Sequence, residues 1–257
     1  MRVSVLASGS KGNCTYIETN NTKILVDIGT TCKNIEQKLQ ELNVNPEEIS
    51  AVFISHIHND HISALKVFQK KYHPTIFITS AMIQELVKEN KYFPLEKMEY
   101  LEETIKCGDI NINLIKTSHD TEDSQGFIFT CNDKSIVYIT DTGYIHTKYF
   151  PLLQNQNLYI FESNHDVEKL MNGPYSHELK IRILSDRGHL SNQDASYYLS
   201  NFIGQKTHHV ILAHLSEENN TEEIAYKTLI ETLKETNKEV KNILIAKQKE
   251  RTELIEV

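Results

Sequence analysis

The segment Ser55–His61 reads Ser-His-Ile-His-Asn-Asp-His and concentrates side chains that bind metal ions. The imidazoles of His56, His58 and His61 and the carboxylate of Asp60 fall within six positions. Nitrogen and oxygen donors of this kind suit zinc, and a mixed set also accepts manganese, iron or nickel. A divalent cation in such a site lowers the pKa of a bound water towards about 7 and neutralises charge on a phosphate. The segment therefore predicts a metal-dependent hydrolytic centre, with a solvated His-rich loop as the alternative.

Four further candidate residues each follow an apolar, strand-like segment. His119 follows Ile-Asn-Leu-Ile-Lys-Thr-Ser, Asp141 follows Ile-Val-Tyr-Ile-Thr, His214 follows Val-Ile-Leu-Ala, and Asp27 follows Lys-Ile-Leu-Val. One such residue alone is more typical of a turn or a capped end. A site with two cations needs ligands from distant loops, so the four together with the His-rich segment predict a shared site.

Apolar periodicity predicts strands and helices that alternate irregularly through two comparable halves. Strands are expected at Arg2–Leu6, Thr15–Glu18, Lys23–Asp27, Ala51–Ser55, Thr75–Thr79, Ile110–Lys116, Gln125–Cys131, Ser135–Thr140, Leu158–Glu162, Val210–Ala213 and Asn242–Ala246. Helices are expected at Asn34–Leu42, His61–Lys71, Ser80–Glu89, Asn192–Phe202 and Glu222–Thr236. This pattern favours an α/β fold, a four-layer αβ/βα sandwich whose two mixed sheets pack face to face with helices outside. Residues 1–257 are expected to form a single domain.

Composition excludes some classes of protein. A net charge of −8 argues against a protein that coats itself in nucleic acid, but not against a nuclease, because bound cations supply local positive charge. No apolar run approaches the roughly 18 residues of a membrane span, and the short alternating N-terminus is not a signal peptide. The cysteines are far apart and are expected to be reduced thiols: Cys14, Cys32, Cys107 and Cys131. A cytoplasmic protein without a membrane partner is expected.

The order Asp27, His56-x-His58-x-Asp60-His61, His119, Asp141, His214 resembles the five motifs of the metallo-β-lactamase superfamily over nearly the whole chain. Four strings resemble its YycJ/WalJ branch: Ser-Gly-Ser-Lys-Gly-Asn, Glu-Ser-Asn-His-Asp, Asp-Arg-Gly-His-Leu-Ser-Asn and Ala-His-Leu-Ser-Glu-Glu-Asn-Asn. That branch is similar to ribonuclease Z and to the phosphodiesterase PhnP. The resemblance implies a phosphodiester hydrolase, with 5′-to-3′ exonuclease activity on DNA proposed for the branch.

The resemblance also implies two divalent cations, zinc or manganese, held by seven side chains. The implied roles are ligation of the first cation by His56, His58 and His119, ligation of the second by Asp60, His61 and His214, bridging by Asp141, and orientation of ligands by Asp27. Antibiotic-hydrolysing members usually place Cys or His at the bridging position. Asp141 therefore favours the phosphodiesterases.

Proton transfer is assigned through the same resemblance. His189 matches the ribonuclease Z histidine that gives a proton to the leaving oxygen, and Glu162 matches a glutamate that orients this imidazole. Histidine suits that task because it exchanges a proton readily near neutral pH. Asp60 is counted with these two as a catalytic residue. For His189, the alternative is a structural residue at the start of a helix.

Substrate contacts are predicted in two places. Ser10 and Asn13 belong to a loop whose glycines allow backbone N–H groups to cradle a phosphate, although a tight turn is the alternative. His165 lies in the Glu-Ser-Asn-His-Asp string, where a plain surface loop is equally compatible. The basic residues before His189 could guide a nucleic-acid strand, or could be a solvated face: Lys180, Arg182 and Arg187.

The leading hypothesis is a two-cation phosphodiesterase that acts on nucleic acid, a single strand or a duplex end, as an exonuclease. The alternative is a small-molecule hydrolase of the same fold that cleaves a cyclic phosphodiester or a thioester. The span from Asp141 to His214 is too short for a β-CASP insertion, which argues against the ribonuclease J type. A regulatory or scaffolding protein is a third hypothesis, and the complete set of seven ligands argues against it.

Overall fold

Two mixed seven-stranded sheets form the framework of the computed structural model, which describes residues 1–257. The strands are β1 (Arg2–Ala7), β2 (Cys14–Glu18), β3 (Lys23–Val26), β4 (Ala51–Phe53), β5 (Thr75–Ile78), β6 (Met98–Tyr100), β7 (Thr104–Cys107), β8 (Ile110–Lys116), β9 (Gln125–Cys131), β10 (Lys134–Ile139), β11 (Leu158–Glu162), β12 (His209–Ala213), β13 (Asn242–Ile245) and β14 (Ile255–Glu256). The first sheet has the order β14-β1-β2-β3-β4-β5-β6, and the second has β13-β12-β11-β10-β9-β8-β7.

Nine α-helices cover the sheets. They are α1 (Cys32–Glu41), α2 (Asn59–Ile62), α3 (Leu65–Tyr72), α4 (Ser80–Lys88), α5 (Phe150–Leu153), α6 (Val167–Asn172), α7 (His177–Leu184), α8 (Asn192–Phe202) and α9 (Glu222–Glu235). Hydroxyl side chains cap the N-termini of the four longest helices, α1, α4, α8 and α9: Thr31, Thr79, Ser191 and Thr221. Each hydroxyl accepts a hydrogen bond from an N–H group that the first helical turn leaves unpaired. None of the helices combines the length and the apolar character that a bilayer crossing requires.

Three apolar clusters alternate with the layers of secondary structure. One cluster of 22 buried residues lies between the sheets, one of 19 lies between the first sheet and α1, α3 and α4, and one of 18 lies between the second sheet and α8 and α9. Strand β11 shows why: Leu158 and Ile160 join the inter-sheet cluster, whereas Tyr159 and Phe161 join the helix-facing one. The predicted four-layer αβ/βα sandwich is confirmed.

Some local predictions differ from the structure. The single helix expected at His61–Lys71 is two helices, α2 and α3, because the backbone turns between them and the Ala64 N–H donates to the Ile28 carbonyl at 3.0 Å. Strands β6 and β7 and helices α6 and α7 were not predicted. They are largely exposed or half-buried, so their apolar periodicity is weak.

Most of the candidate site residues follow the carboxyl ends of strands with parallel neighbours, the position where open α/β sheets bind ligands, whereas His119 follows the antiparallel strand β8. Asp27 follows β3, Asp141 follows β10 and His214 follows β12. All three have left-handed backbone conformations, with φ of 57°, 54° and 56°. A non-glycine residue rarely adopts this conformation, and it turns the chain sharply at the end of each strand.

Gly29 lets the His-rich loop pack tightly against the first sheet. A Cβ atom at this position would lie 1.5 Å from the Asp60 carbonyl oxygen, so no larger residue fits. The loop is held from two sides, since Asn13 N–H donates to the Asp60 carbonyl at 2.7 Å and Ile28 N–H donates to the His61 carbonyl at 2.9 Å. Backbone contacts therefore help to fix the loop that carries the histidines.

Candidate metal centre

Three imidazoles converge at the first predicted cation position. His58 Nδ1 lies 3.2 Å from His56 Nε2 and 3.2 Å from His119 Nε2. Burial lowers the pKa of both His56 and His119, so both rings are neutral near pH 7 and carry a nitrogen lone pair. These three ring nitrogens cannot all pair as hydrogen-bond donor and acceptor, so at least one nitrogen lone pair faces another and repels it. A shared cation satisfies them together, and the donor set fits zinc or manganese.

A second group of donors lies beside the first. Asp141 Oδ2 is 3.1 Å from His61 Nε2, and His214 Nε2 is 3.6 Å from Asp60 Oδ2. The Oδ1 atom of Asp141 lies 3.5 Å from His214 Nε2 in the second group. It also lies 3.8 Å from His119 Nε2, so Asp141 approaches the first group as well. Asp141 Oδ2 and His214 Nε2 are buried without a hydrogen-bond partner. Polar atoms in that state are costly, and a cation between them would satisfy both.

Buried carboxylates dominate the electrostatics of this second group. Burial alone would lower the pKa of His214, but the carboxylates of Asp141, Asp60 and Glu162 raise it to about 10. His61 shows the same balance, with burial outweighed by its aspartate neighbours, so its pKa is well above the usual range. The carboxylates thus attract positive charge into a buried space, and divalent cations would supply it.

Each of the five histidines has an oxygen atom near its other ring nitrogen, at hydrogen-bond geometry for four of them and as a longer approach for His58. The contacts are His56 Nδ1 to Ser55 Oγ at 3.0 Å, His61 Nδ1 to Asp27 Oδ2 at 2.8 Å, His119 Nδ1 to the Gly188 carbonyl at 3.2 Å, His214 Nδ1 to Glu162 Oε1 at 3.1 Å, and His58 Nε2 to Asp120 Oδ1 at 3.4 Å. Partners of this kind fix the ring and the tautomer of a metal-binding histidine. The residues around the cluster therefore also fit a metal centre.

Glu162 links the second group to His189. Its Oε1 lies 2.8 Å from His189 Nδ1, and its Oε2 accepts hydrogen bonds from the Thr142 and Leu190 N–H groups at 3.0 and 3.2 Å. Burial would raise the pKa of Glu162, but the charge of His189 and the hydrogen bonds with His189 and His214 lower it to about 2, so the side chain is a carboxylate. Because Glu162 holds Nδ1, the Nε2 atom of His189 is left for a substrate in the cleft that His189 lines.

Asp120 is a further carboxylate beside the donor cluster that the sequence analysis missed. Its Oδ2 accepts a hydrogen bond from Arg182 Nε at 2.6 Å, and Arg182 Nη2 also contacts it. Its Oδ1 is buried without a hydrogen-bond partner and faces His58. The adjacency to His119 was a signal in the sequence, but the contact to His58 requires the fold.

Asp120 is expected to strengthen cation binding at the first position. Asp120→Asn removes the charge that orients His58, and residues in this position typically contribute 10- to 100-fold in metal affinity. We therefore expect Kd for the first cation to rise about 10- to 100-fold in a chelator competition, with the thermal unfolding profile retained. Asp133→Asn, on the exposed β9–β10 turn, is the matched control. An unchanged Kd would contradict the role.

The three predicted substrate contacts have different surroundings. Ser10 lines the open cleft together with His119, His189 and His214. Asn13 is only 2% exposed, with its amide nitrogen 2.9 Å from His61 Nε2, and His165 is only 1% exposed. Neither buried side chain presents a surface to substrate, because Asn13 packs against the ligand loop and His165 lies beneath the start of α8.

The three basic residues before His189 also differ. Arg182 and Arg187 line the cleft, and Arg187 Nε donates to the His119 carbonyl at 3.0 Å. Lys180 instead donates to the carbonyl groups of Met171 and Gly173, both at 2.8 Å, and ties α7 to α6. Arg182 is paired with the Asp120 carboxylate, so of the two arginines in the cleft Arg187 is the one whose charge has no carboxylate partner.

Comparison with known proteins adds to this geometry. Residues 7–178 match the family model described as Anti-Pycsar protein Apyc1. The chain is 39% identical over 239 residues to the exodeoxyribonuclease WalJ of Streptococcus pneumoniae serotype 2, covering 90% of this chain and 88% of that protein. The exodeoxyribonuclease YycJ of Bacillus anthracis is 35% identical over 237 residues, covering 91% and 90%. The metallo-β-lactamase fold protein YhfI from Bacillus subtilis has a TM-score of 0.73 at 20% identity and covers 98% of both chains.

Proposed function

Because the chain belongs to the metallo-β-lactamase-fold family that contains the exodeoxyribonucleases WalJ and YycJ and the Apyc1 proteins, we propose that it is a metal-dependent exodeoxyribonuclease that degrades DNA from the 5′ end. The family resemblance inferred from the sequence motifs is thereby confirmed. The observation that carries the proposal is the His189–Glu162 pair, 2.8 Å apart, at the border between the clustered metal-binding donors and an open cleft.

The fold and the clustered donors imply divalent metal ions, and we propose two of them, zinc or manganese. Two sets of three donors would hold them, namely His56, His58 and His119, and Asp60, His61 and His214, with Asp141 reaching both. Ions held there would activate water at neutral pH and offset charge on the phosphate. Asp27, Ser55, Asp120 and Glu162 would hold the rings in orientation.

The remaining steps depend on side chains that face the cleft. His189 would give its Nε2 proton to the leaving oxygen of the phosphodiester, and Glu162 would fix the ring through Nδ1 and stabilise its positive charge. Arg187 and Ser10 line the same cleft and would position the phosphate. The alkoxide leaving group of a DNA phosphodiester is stabilised by protonation. Of the three histidines that line the cleft, His189 is the one that the two proposed donor sets do not include.

We also propose that residues 1–257 act as one domain, because each sheet supplies only part of the donor set. The first sheet carries Asp27 and the His-rich loop, and the second carries His119, Asp141 and His214. The proposed compartment is the cytoplasm, where the free thiols of the four cysteines would stay reduced. Its proposed partner is a DNA strand or duplex end as substrate.

The proposal is tested with single-stranded DNA and RNA labelled at the 5′ or the 3′ end, incubated with manganese or zinc. We expect release of the 5′ label before the 3′ label, and cleavage of DNA in preference to RNA. Asp60→Ala, which removes a candidate ligand, should show no cleavage above background, and the exposed Asp133→Ala should match the wild type.

Two results would replace the proposal. Earlier release of the 3′ label would reverse the direction of digestion. Intact polymers together with hydrolysis of a cyclic phosphodiester or a thioester would favour a small-molecule hydrolase of the same fold. Both results would keep the metal centre, whereas a wild-type protein that bound no metal would contradict it.

A further inference from the structure

One wall of the cleft is apolar, and the proposed chemistry makes no use of it. Tyr175, Leu179 and Ile183 form this wall, and they line the same cleft as the histidines that border the metal centre. None of the three belongs to, or packs against, any of the three apolar clusters of the fold. Their apolar surface is thus turned towards the cleft without a core to cover it. Apolar surface in a cleft beside convergent polar groups is typical of a ligand site.

The wall is built on α7 and the turn before it. Leu179 and Ile183 are four residues apart, so they lie on the same face of the helix, one turn above the other. Two contacts fix the helix at the cleft: Arg182 binds Asp120, and Gly188 packs so closely that a Cβ atom would lie 2.1 Å from the Ile183 carbonyl oxygen. The apolar face is therefore presented by a restrained element.

The neighbouring charges identify the ligand. Arg187 shares the cleft with the apolar wall and has no carboxylate partner, whereas Arg182 is paired with Asp120, so one molecule that fills the cleft presents an anionic group to Arg187 and an apolar group beside it. A nucleotide has this composition, with a phosphate and a flat, largely apolar base. Aromatic side chains bind bases by stacking, which accepts any base because every base has a π-face.

We propose that Tyr175, Leu179 and Ile183 form a subsite for the nucleobase of the 5′-terminal nucleotide, with Tyr175 stacking on the base. This inference rests on the proposed exonuclease function. It names the terminal base as the part of the substrate that the enzyme binds beside the scissile phosphate. Stacking would not distinguish the four bases, as suits an enzyme that degrades a strand whatever its sequence. From the usual strength of base stacking, loss of the base should raise KM about 5- to 150-fold.

The test compares two oligonucleotides that differ only at the 5′-terminal position, which carries either a base or an abasic tetrahydrofuran. The wild type should favour the first about 5- to 150-fold in kcat/KM, mainly through KM. Tyr175→Ala should lose this preference, and Tyr175→Phe should keep most of it. Tyr226→Ala, an exposed tyrosine on α9, is the control that should behave as the wild type.

The outcomes separate this inference from the proposed function. Equal cleavage of both oligonucleotides by the wild type, or an equal loss on both in Tyr175→Ala, would overturn the base subsite while leaving the exonuclease. If neither is cleaved, the proposed function fails, and fluorescence anisotropy of the same labelled oligonucleotides tests the subsite by binding alone. Tighter binding of the base-bearing strand, lost in Tyr175→Ala, would support it. A cyclic mononucleotide that displaces the labelled oligonucleotide from the wild type but not from Tyr175→Ala would support the base subsite and would assign it to a small substrate.

Discussion

Replacing Asp141 by alanine is expected to remove both metal binding at the second position and DNA cleavage. Asp141 is the side chain that reaches both donor groups, with Oδ2 3.1 Å from His61 Nε2 and Oδ1 3.8 Å from His119 Nε2. Metal ions at such sites contribute several kcal/mol to the stabilisation of transition-state charge. The expected loss in kcat/KM is on the order of a thousandfold or more. Metal content, measured by elemental analysis, should fall from two ions per chain to one or none.

An aspartate on an exposed turn, Asp133, provides the control for this experiment. Asp133→Ala changes the β9–β10 turn without touching the site, so it should retain metal content and activity. An Asp141→Ala protein that keeps two ions and cleaves DNA at the wild-type rate would show that Asp141 is not a ligand. Loss of activity with both ions in place would instead assign Asp141 to substrate binding, and would contradict the bridging role.

Replacing His189 by alanine should have the next largest effect, and it should leave the metal ions in place. General acid catalysis by a positioned side chain contributes about 10²- to 10⁴-fold, so kcat should fall by about that factor. The loss should depend on the leaving group. A p-nitrophenyl phosphodiester, whose leaving oxygen needs no proton, should be hydrolysed by the variant at nearly the wild-type rate.

This dependence separates proton transfer from other roles of His189. If the variant loses as much activity on the p-nitrophenyl ester as on DNA, the residue does not act as the general acid. A fall in metal content would instead place His189 among the ligands, since its Nδ1 lies 3.7 Å from Asp141 Oδ1. His146→Ala, at an exposed position outside the donor cluster, is the matched control.

The sequence predicted that the candidate donors would lie together, because each has a simple local context. Asp27, Asp141 and His214 follow apolar runs of three or four residues, and such runs become buried strands whose ends meet at one edge of a sheet. The His-x-His-x-Asp-His spacing is equally local. The four-layer architecture followed from the regular alternation of apolar residues, which the three clusters of the core reproduce.

Contacts between distant segments could not be predicted in this way. Asp120 differs from other aspartates only through its distances to His58 and Arg182, and Arg182 lies 62 residues away in sequence. The apolar wall of the cleft is on α7, a helix without buried residues, so its periodicity gave no signal. Asn13 was expected to contact the substrate. Its position against His61 depends on how the loop of residues 8–13 packs on the His-rich loop, which the sequence does not reveal.

The left-handed backbone conformations of Asp27, Asp141 and His214 imply a trade-off between the stability of the fold and its activity. A side chain with a Cβ atom costs about 1 kcal/mol in this region of backbone space, where glycine costs almost nothing. Three such residues together cost about 3 kcal/mol, a noticeable share of the 5–15 kcal/mol by which most folded domains are stable. Asp27 offsets its cost, because its carboxylate accepts buried hydrogen bonds from Ser55 and Tyr138. Asp141 and His214 each have a buried polar atom without a hydrogen-bond partner, so glycine at these two strand ends would favour stability and would remove two candidate metal ligands.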